Sequence, residues 1–132
     1  VPIRFRALVP KKPLIVSSAV HSRLERALND FVYQIERSMA TYPVPMPTKS
    51  GYVRTMTLAR SWSVVRAHMA GGNLVARAGS NADVAPYNRF VEGDLQTAEM
   101  RRRQWPIVYD VAQKLWPELR RAVQAAFRNG GA

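Results

Sequence analysis

The chain has 132 residues, 47% of them hydrophobic, and a formal net charge of +11 from 20 Lys and Arg against 9 Asp and Glu. That length and apolar content suit one folded domain with its own core, not a disordered chain. With no cysteine, disulfides and thiolate metal sites are excluded; no apolar run reaches the roughly 18–20 residues of a membrane helix; and the charge favours nucleic acid, anionic membranes or acidic proteins as partners.

Residues 1–16 carry Pro2, Pro10 and Pro13. Ile3, Phe5, Ala7 and Val9 alternate with Arg4, Arg6 and Leu8, the period of a half-buried strand. The prolines move that strand to a sheet edge or into an arm. The segment 1–16 is therefore set apart as a Pro-rich strand or arm, which reaches a neighbour or straps its own subunit. Residues 17–132 are expected to form a single domain. The N-terminal bases precede no continuous apolar segment, so no signal peptide is expected.

Ser17 and Ser18 are candidate caps of a helix, because a hydroxyl accepts from a first-turn amide that has no helical partner. Val20, Leu24, Ala27, Leu28, Phe31, Ile35, Met39 and Tyr42 then recur at spacings of three and four. That is one apolar face of a helix of about 24 residues. The opposite face carries Arg23, Arg26, Asn29, Asp30, Glu36 and Arg37, with Arg26 and Asp30 an i,i+4 pair. His21, in the first turn, is read as a solvated or capping side chain. Pro43, Pro45 and Pro47 stop the helix and stiffen a surface loop over 43–51.

A short helix or turn is expected near Thr57 to Arg60. A strand over 62–69, a Gly71-Gly72-Asn73 turn and a return strand over 74–79 read as a hairpin. Between Val84 and Val91 a short strand or helix is expected to carry Tyr87, Phe90 and Val91 inward, with Gly93 breaking it. Leu95 to Arg103 reads as a short helix or irregular segment, and Trp105 as a further inward anchor. Pro106 fits the first position of a closing helix. Its stripe is Val108, Val111, Ala112, Leu115, Leu119, Ala122, Val123, Ala126 and Phe127. Pro117 inside that stripe predicts a kink or a restart.

Little catalytic chemistry is on offer. His21 and His68 fall in different elements, so a zinc site is not expected. No G-x-S-x-G, P-loop or G-x-G-x-x-G occurs. No enzyme activity, cofactor or metal is expected. The one metal alternative is a Mg²⁺-dependent nuclease built on Glu92, Asp94 and Glu99. Nucleic-acid binding carries more weight: the Lys and Arg side chains can neutralise phosphates, and Tyr52, Trp62, Tyr87 and Trp105 can stack bases if exposed. No recognised nucleic-acid motif accompanies them.

The acids are clustered, unlike the bases. Asp83, Glu92, Asp94 and Glu99 are four of the nine, and Arg101, Arg102 and Arg103 follow at once. Glu92, Asp94, Glu99 and the three arginines form a candidate interface with acidic and basic edges. Such edges mate with a second copy of the chain, or are two solvated faces of one loop and helix.

Two ordered elements carry a family resemblance. The first is Tyr52-Val53-Arg54-Thr55-x-Thr57-Leu58-x-x-Ser61-Trp62. The second, after the hairpin, is Tyr87-x-x-x-Val91-x-Gly93-x-x-Gln96, followed by Trp105. Over about residues 18–128 the chain resembles the tail-completion, or head–tail joining, proteins of tailed bacteriophages. Their pattern is Y-x-R-T-G-x-L-x-x-S-W, a hairpin, then Y-x-x-x-V-x-G-x-x-Q before a tryptophan. Met56 stands where the family has glycine, and Arg101 to Arg103 lie where a histidine is common. The resemblance implies an α+β fold, with a long N-terminal helix and a C-terminal helix packed on a small antiparallel sheet. It implies a structural virion protein at the neck, assembled in the host cytoplasm. The partners would be copies of itself in a ring, six being the expected number, and other neck and tail proteins, close to double-stranded DNA and away from membrane. The competing reading is a basic nucleic-acid-binding module outside a virion.

Overall fold

The computed structural model describes residues 4–7, 17–41, 43 and 57–130. Tyr42, the loop beyond Pro43, and Tyr52, Arg54 and Thr55 of the family pattern lie outside the described residues, as does the stretch 8–16.

The organising element is helix α1, Ser18–Ala40. Ser17 caps it: the side-chain Oγ accepts from the Val20 amide at 3.2 Å, satisfying one of the free first-turn donors. Thr41 ends it, its hydroxyl donating to the Arg37 carbonyl at 2.7 Å. From Val20 to Met39 the apolar stripe is buried as its period predicts, with Val32 added to it. The pair that forms on its outer side joins His21 to Glu25 at 2.7 Å, in place of the expected Arg26–Asp30 pair.

Three antiparallel strands make the sheet: β1 (Arg4–Ala7), β2 (Trp62–Ala70) and β3 (Asn73–Ser80), in the order β1-β3-β2. Gly71 and Gly72 turn β2 into β3 with φ of +57° and +81°. A side chain there would meet nothing within 4 Å, so the backbone conformation, not space, favours glycine. β1 pairs with β3, Arg4 opposite Arg77 and Ala7 opposite Leu74. The Arg4–Ala7 part of the N-terminal segment is thus an edge strand of its own subunit's sheet.

The register of β2 slips between Val65 and His68. An irregularity of this kind leaves a backbone amide without a strand partner. Here Asn29 of α1, buried to 9% exposure, accepts from the Ala67 amide at 2.6 Å. One polar side chain on an apolar helix face therefore bonds the helix to the sheet at the point where the ladder is broken.

The core gathers Leu24, Leu28, Phe31, Val32, Ile35 and Met39 of α1 against Trp62 and the β3 residues Leu74, Ala76 and Ala78. Ala76 and Ala78 are fully buried; their small side chains let α1 lie close to the sheet. Helix α5, Val108–Gly130, adds Val108, Ala112, Leu119 and Ala126 along α1. Burying each large side chain of this set contributes about 1.5–3 kcal/mol. The fold is α+β.

Three expectations about the closing helix change. α5 begins at Val108, two residues after Pro106, and the Val108 amide donates to the Glu92 carbonyl at 3.0 Å. It continues past Pro117 as one helix, so it does not end near Leu115 and restart. Pro117 removes the partner of the Gln113 carbonyl, and both residues lie on the exposed side, where water replaces the lost bond. Ala122 and Phe127 are exposed and outside the core. Among the described residues no helix is long and apolar enough to cross a membrane.

Candidate functional site

Two short stretches meet beside the sheet. The first is helix α2, Thr57–Ser61, leading into Trp62. The second is 80–107, which holds helices α3 (Asn88–Val91) and α4 (Ala98–Arg102). Leu58, Ala85 and Val91 form a small apolar cluster there, with Met100 and Trp105 packed against it.

A chain of polar side chains runs through the junction. Ser61 donates to the Leu58 carbonyl at 2.6 Å. Its oxygen is 2.8 Å from Ser80 Oγ, and Asn88 Nδ2 donates to Ser80 at 2.9 Å. Since the Ser61 proton is committed to Leu58, Ser80 is the donor to Ser61, and Ser80 needs the Asn88 amide as its own donor. That direction fixes the Asn88 side chain and leaves its buried Oδ1 without a partner.

Glu92 sits one turn beyond Asn88, and its amide donates to the Asn88 carbonyl at 2.8 Å. It is 1% exposed. Trp62 Nε1 donates to Glu92 Oε1 at 3.3 Å, while Oε2 has no partner. Burial pushes the carboxyl up to about 7, against the opposing pull of the Trp62 indole and the Asn88 amide. A proton removes the carboxylate's negative charge, which lowers the cost of holding the group away from water.

Gly93 and Gln96 close the loop beyond Glu92. A Cβ on Gly93 would lie 2.6 Å from the Arg89 Cα, so close approach of two backbones demands glycine. Gln96 Nε2 donates to the carbonyls of Val91 and Trp105, both at 2.8 Å. One amide group thus ties the end of α3 to the entry of α5. Thr97 caps α4 by accepting from the Met100 amide at 3.3 Å. Gln104 follows at a φ of +64° and turns the chain into Trp105.

The residues picked out by the sequence therefore separate. Leu58, Ser61, Trp62, Val91, Gly93, Gln96 and Trp105 meet in this junction. Tyr87 does not: it is 44% exposed, and Phe90 is 45% exposed, so both point away from the core they were expected to anchor. Helix α3 has only one inward face, and Asn88 and Val91 occupy it.

The expected charged platform also divides. Glu92 is inside, not on the surface. Asp94 is exposed, with Arg89 at 3.7 Å. Glu99 holds Arg102 at 2.9 Å and Arg103 at 2.8 Å, the i,i+3 and i,i+4 geometry of a helix surface. Among the described residues no three His or carboxylate groups gather to hold a metal ion, and Glu92, Asp94 and Glu99 lie apart.

Arg101 forms no ion pair among the described residues. It lies at the rim of an open cleft of about 650 Å³. Trp105, Ile107 and Val111 supply apolar wall, and Asp110 and Lys114 of α5 complete the rim. The cleft is an addition to the site residues expected from sequence; positions 107, 110, 111 and 114 share one helical face by spacing. Asn29, expected on the polar face of α1, is buried against the sheet instead, and Ser80 and Asn88 are further site residues that the sequence does not single out. Each is a short polar residue whose role depends on a partner outside its own element.

No family model, no curated protein and no solved structure matches the chain. The phage-neck resemblance stands on the residues of its two sequence elements alone.

Proposed function

We propose that this protein is a structural component of a tailed-phage virion, a tail-completion or head–tail connector protein that forms a ring at the neck. The observation that carries this reading is the junction. Seven residues of the family pattern, Leu58 to Trp105, converge on one small scaffold of hydrogen bonds and apolar contacts. They hold the 57–62 and 80–107 segments to each other and present no reactive group to solvent. Residues that hold two segments together to frame a surface fit a protein whose work is contact with neighbours.

A basic nucleic-acid-binding module draws on the same net charge of +11. It loses Trp62, which is 7% exposed and bonded to Glu92 and has no open face on which to stack a base. Size-exclusion chromatography with light scattering, with and without double-stranded DNA, separates the two readings. The ring reading expects a closed oligomer whose mass does not depend on DNA. A monomer that binds DNA tightly, with affinity falling steeply with salt, favours the module.

A further inference from the structure

The geometry points to a head-to-tail contact between two copies of this chain, in which the 83–95 ridge of one copy seats in the Trp105–Lys114 cleft of the next. This deepens the ring reading and rests on it for the closure of the contact into a ring. The contact itself follows from two surfaces.

The ridge is apolar and acidic. Ten large apolar side chains are exposed among the described residues, and four of them, Val84, Tyr87, Phe90 and Leu95, lie in this one stretch, at 42–46% exposure. The others are scattered over α1, β2 and α5. The stretch folds back on itself, with the Leu95 amide donating to the Arg89 carbonyl at 3.0 Å and the Thr97 amide to the Phe90 carbonyl at 3.0 Å. Asp83 and Asp94 flank it, both exposed, against one base, Arg89. Net negative charge over such a stretch is unusual in a chain of +11.

The cleft has the opposite character. Its wall is Trp105, Ile107 and Val111, and its rim carries Arg101 and Lys114 against the single acid Asp110. Neither Arg101 nor Lys114 has an ion-pair partner among the described residues. This contrasts with Arg102 and Arg103, which Glu99 holds. Of the arginine triplet, only Arg101 is left to meet a carboxylate from outside.

Each surface is preformed. Gln96 bonds to both Val91 and Trp105 and Gly93 permits the close turn between them, so the ridge cannot swing into its own cleft. Preformed partners lose little freedom on binding. Two different patches on one chain make a heterologous contact, the kind that closes into rings when its rotation allows. Opposite charge selects the pairing and like charge rejects ridge-on-ridge docking.

The absence of cysteine gives a clean test. Phe90→Cys and Lys114→Cys are made separately, at exposed positions, and checked for native circular dichroism. After mild oxidation the mixture is expected to give a disulfide-linked dimer that neither variant gives alone, and the chain carrying both substitutions a ladder of linked copies. A dimer from Phe90→Cys alone overturns the proposal, because the contact is then ridge on ridge. An oligomer by light scattering with no mixed crosslink also overturns it and leaves the ring reading standing. A monomer at every concentration overturns it too, and the neck reading is then decided by locating the chain in assembled particles. As a second readout, Arg101→Glu is expected to weaken association at least about tenfold, with Asp94→Arg on the same chain restoring it. Unchanged association of Arg101→Glu contradicts the assignment of the cleft.

Discussion

Trp62 and Glu92, thirty positions apart, meet in a hydrogen bond of 3.3 Å that joins the first residue of β2 to the turn after α3. A tryptophan indole is a donor only, and a buried carboxyl is an acceptor in either protonation state. The pair therefore survives titration of Glu92, while the rest of the carboxyl's environment does not suit a charge.

That asymmetry predicts a pH dependence. Glu92 titrates near 4.5 in the unfolded chain and at about 7 in the folded one. Its favourable contribution is fully present below 4.5, where both states hold the proton. It declines as pH rises and is lost once pH passes 7, when the folded chain must bury the charge. The loss is about 3 kcal/mol by linkage. Glu92→Gln keeps an acceptor for Trp62 and removes the charge. Urea denaturation at pH 5 and pH 8 is expected to show a smaller stability difference for Glu92→Gln than for the native chain. Equal differences in the two proteins contradict the buried carboxyl.

Asn29→Ala is expected to cost about 1–3 kcal/mol, the penalty for leaving the buried Ala67 amide unpaired at the β2 irregularity. Equilibrium denaturation measures it. A change under about 0.5 kcal/mol would mean that the amide finds another acceptor.

Gly93→Ala is expected to destabilise by about 1–3 kcal/mol, because its Cβ meets the Arg89 backbone, which cannot rotate away as a side chain can. Thermal melting by circular dichroism reads the shift. An unchanged melting temperature would show that the loop opens at no cost.

Leu28→Ala and Phe31→Ala remove side chains that are 2% and 3% exposed on the inner face of α1. Each is expected to cost about 2–5 kcal/mol. A loss below about 1 kcal/mol in chemical denaturation would mean that this face is not core.

The parts of the fold that sequence reveals here are those decided locally. Ser17, the α1 stripe and the Gly71-Gly72 turn depend on neighbours within a few positions, and the structure keeps all three. Glu92 departs from its expected surface place because burial of a carboxyl depends on Trp62 and Asn88 arriving beside it; within its own acidic run it looks like surface. Tyr87 and Phe90 depart in the opposite sense, exposed where an inward place is expected. Aromatic residues are usually inward, but a one-turn helix offers a single buried face. The clamp of Glu99 on Arg102 and Arg103 was legible once α4 is drawn as a helix, and it reduces the apparent basic patch to Arg101. The cleft needed the third dimension, because the Trp105 wall and the α5 rim meet only after the Gln104 turn.

The central claim is tested most directly by electron microscopy of tailed particles assembled with an epitope-tagged copy of this chain and decorated with gold-labelled antibody. The account predicts gold at the head–tail junction and a ring of density there after averaging about the particle axis. Intact tailed particles with gold elsewhere, or with no gold at all while the tagged protein accumulates free in the lysate, would contradict it.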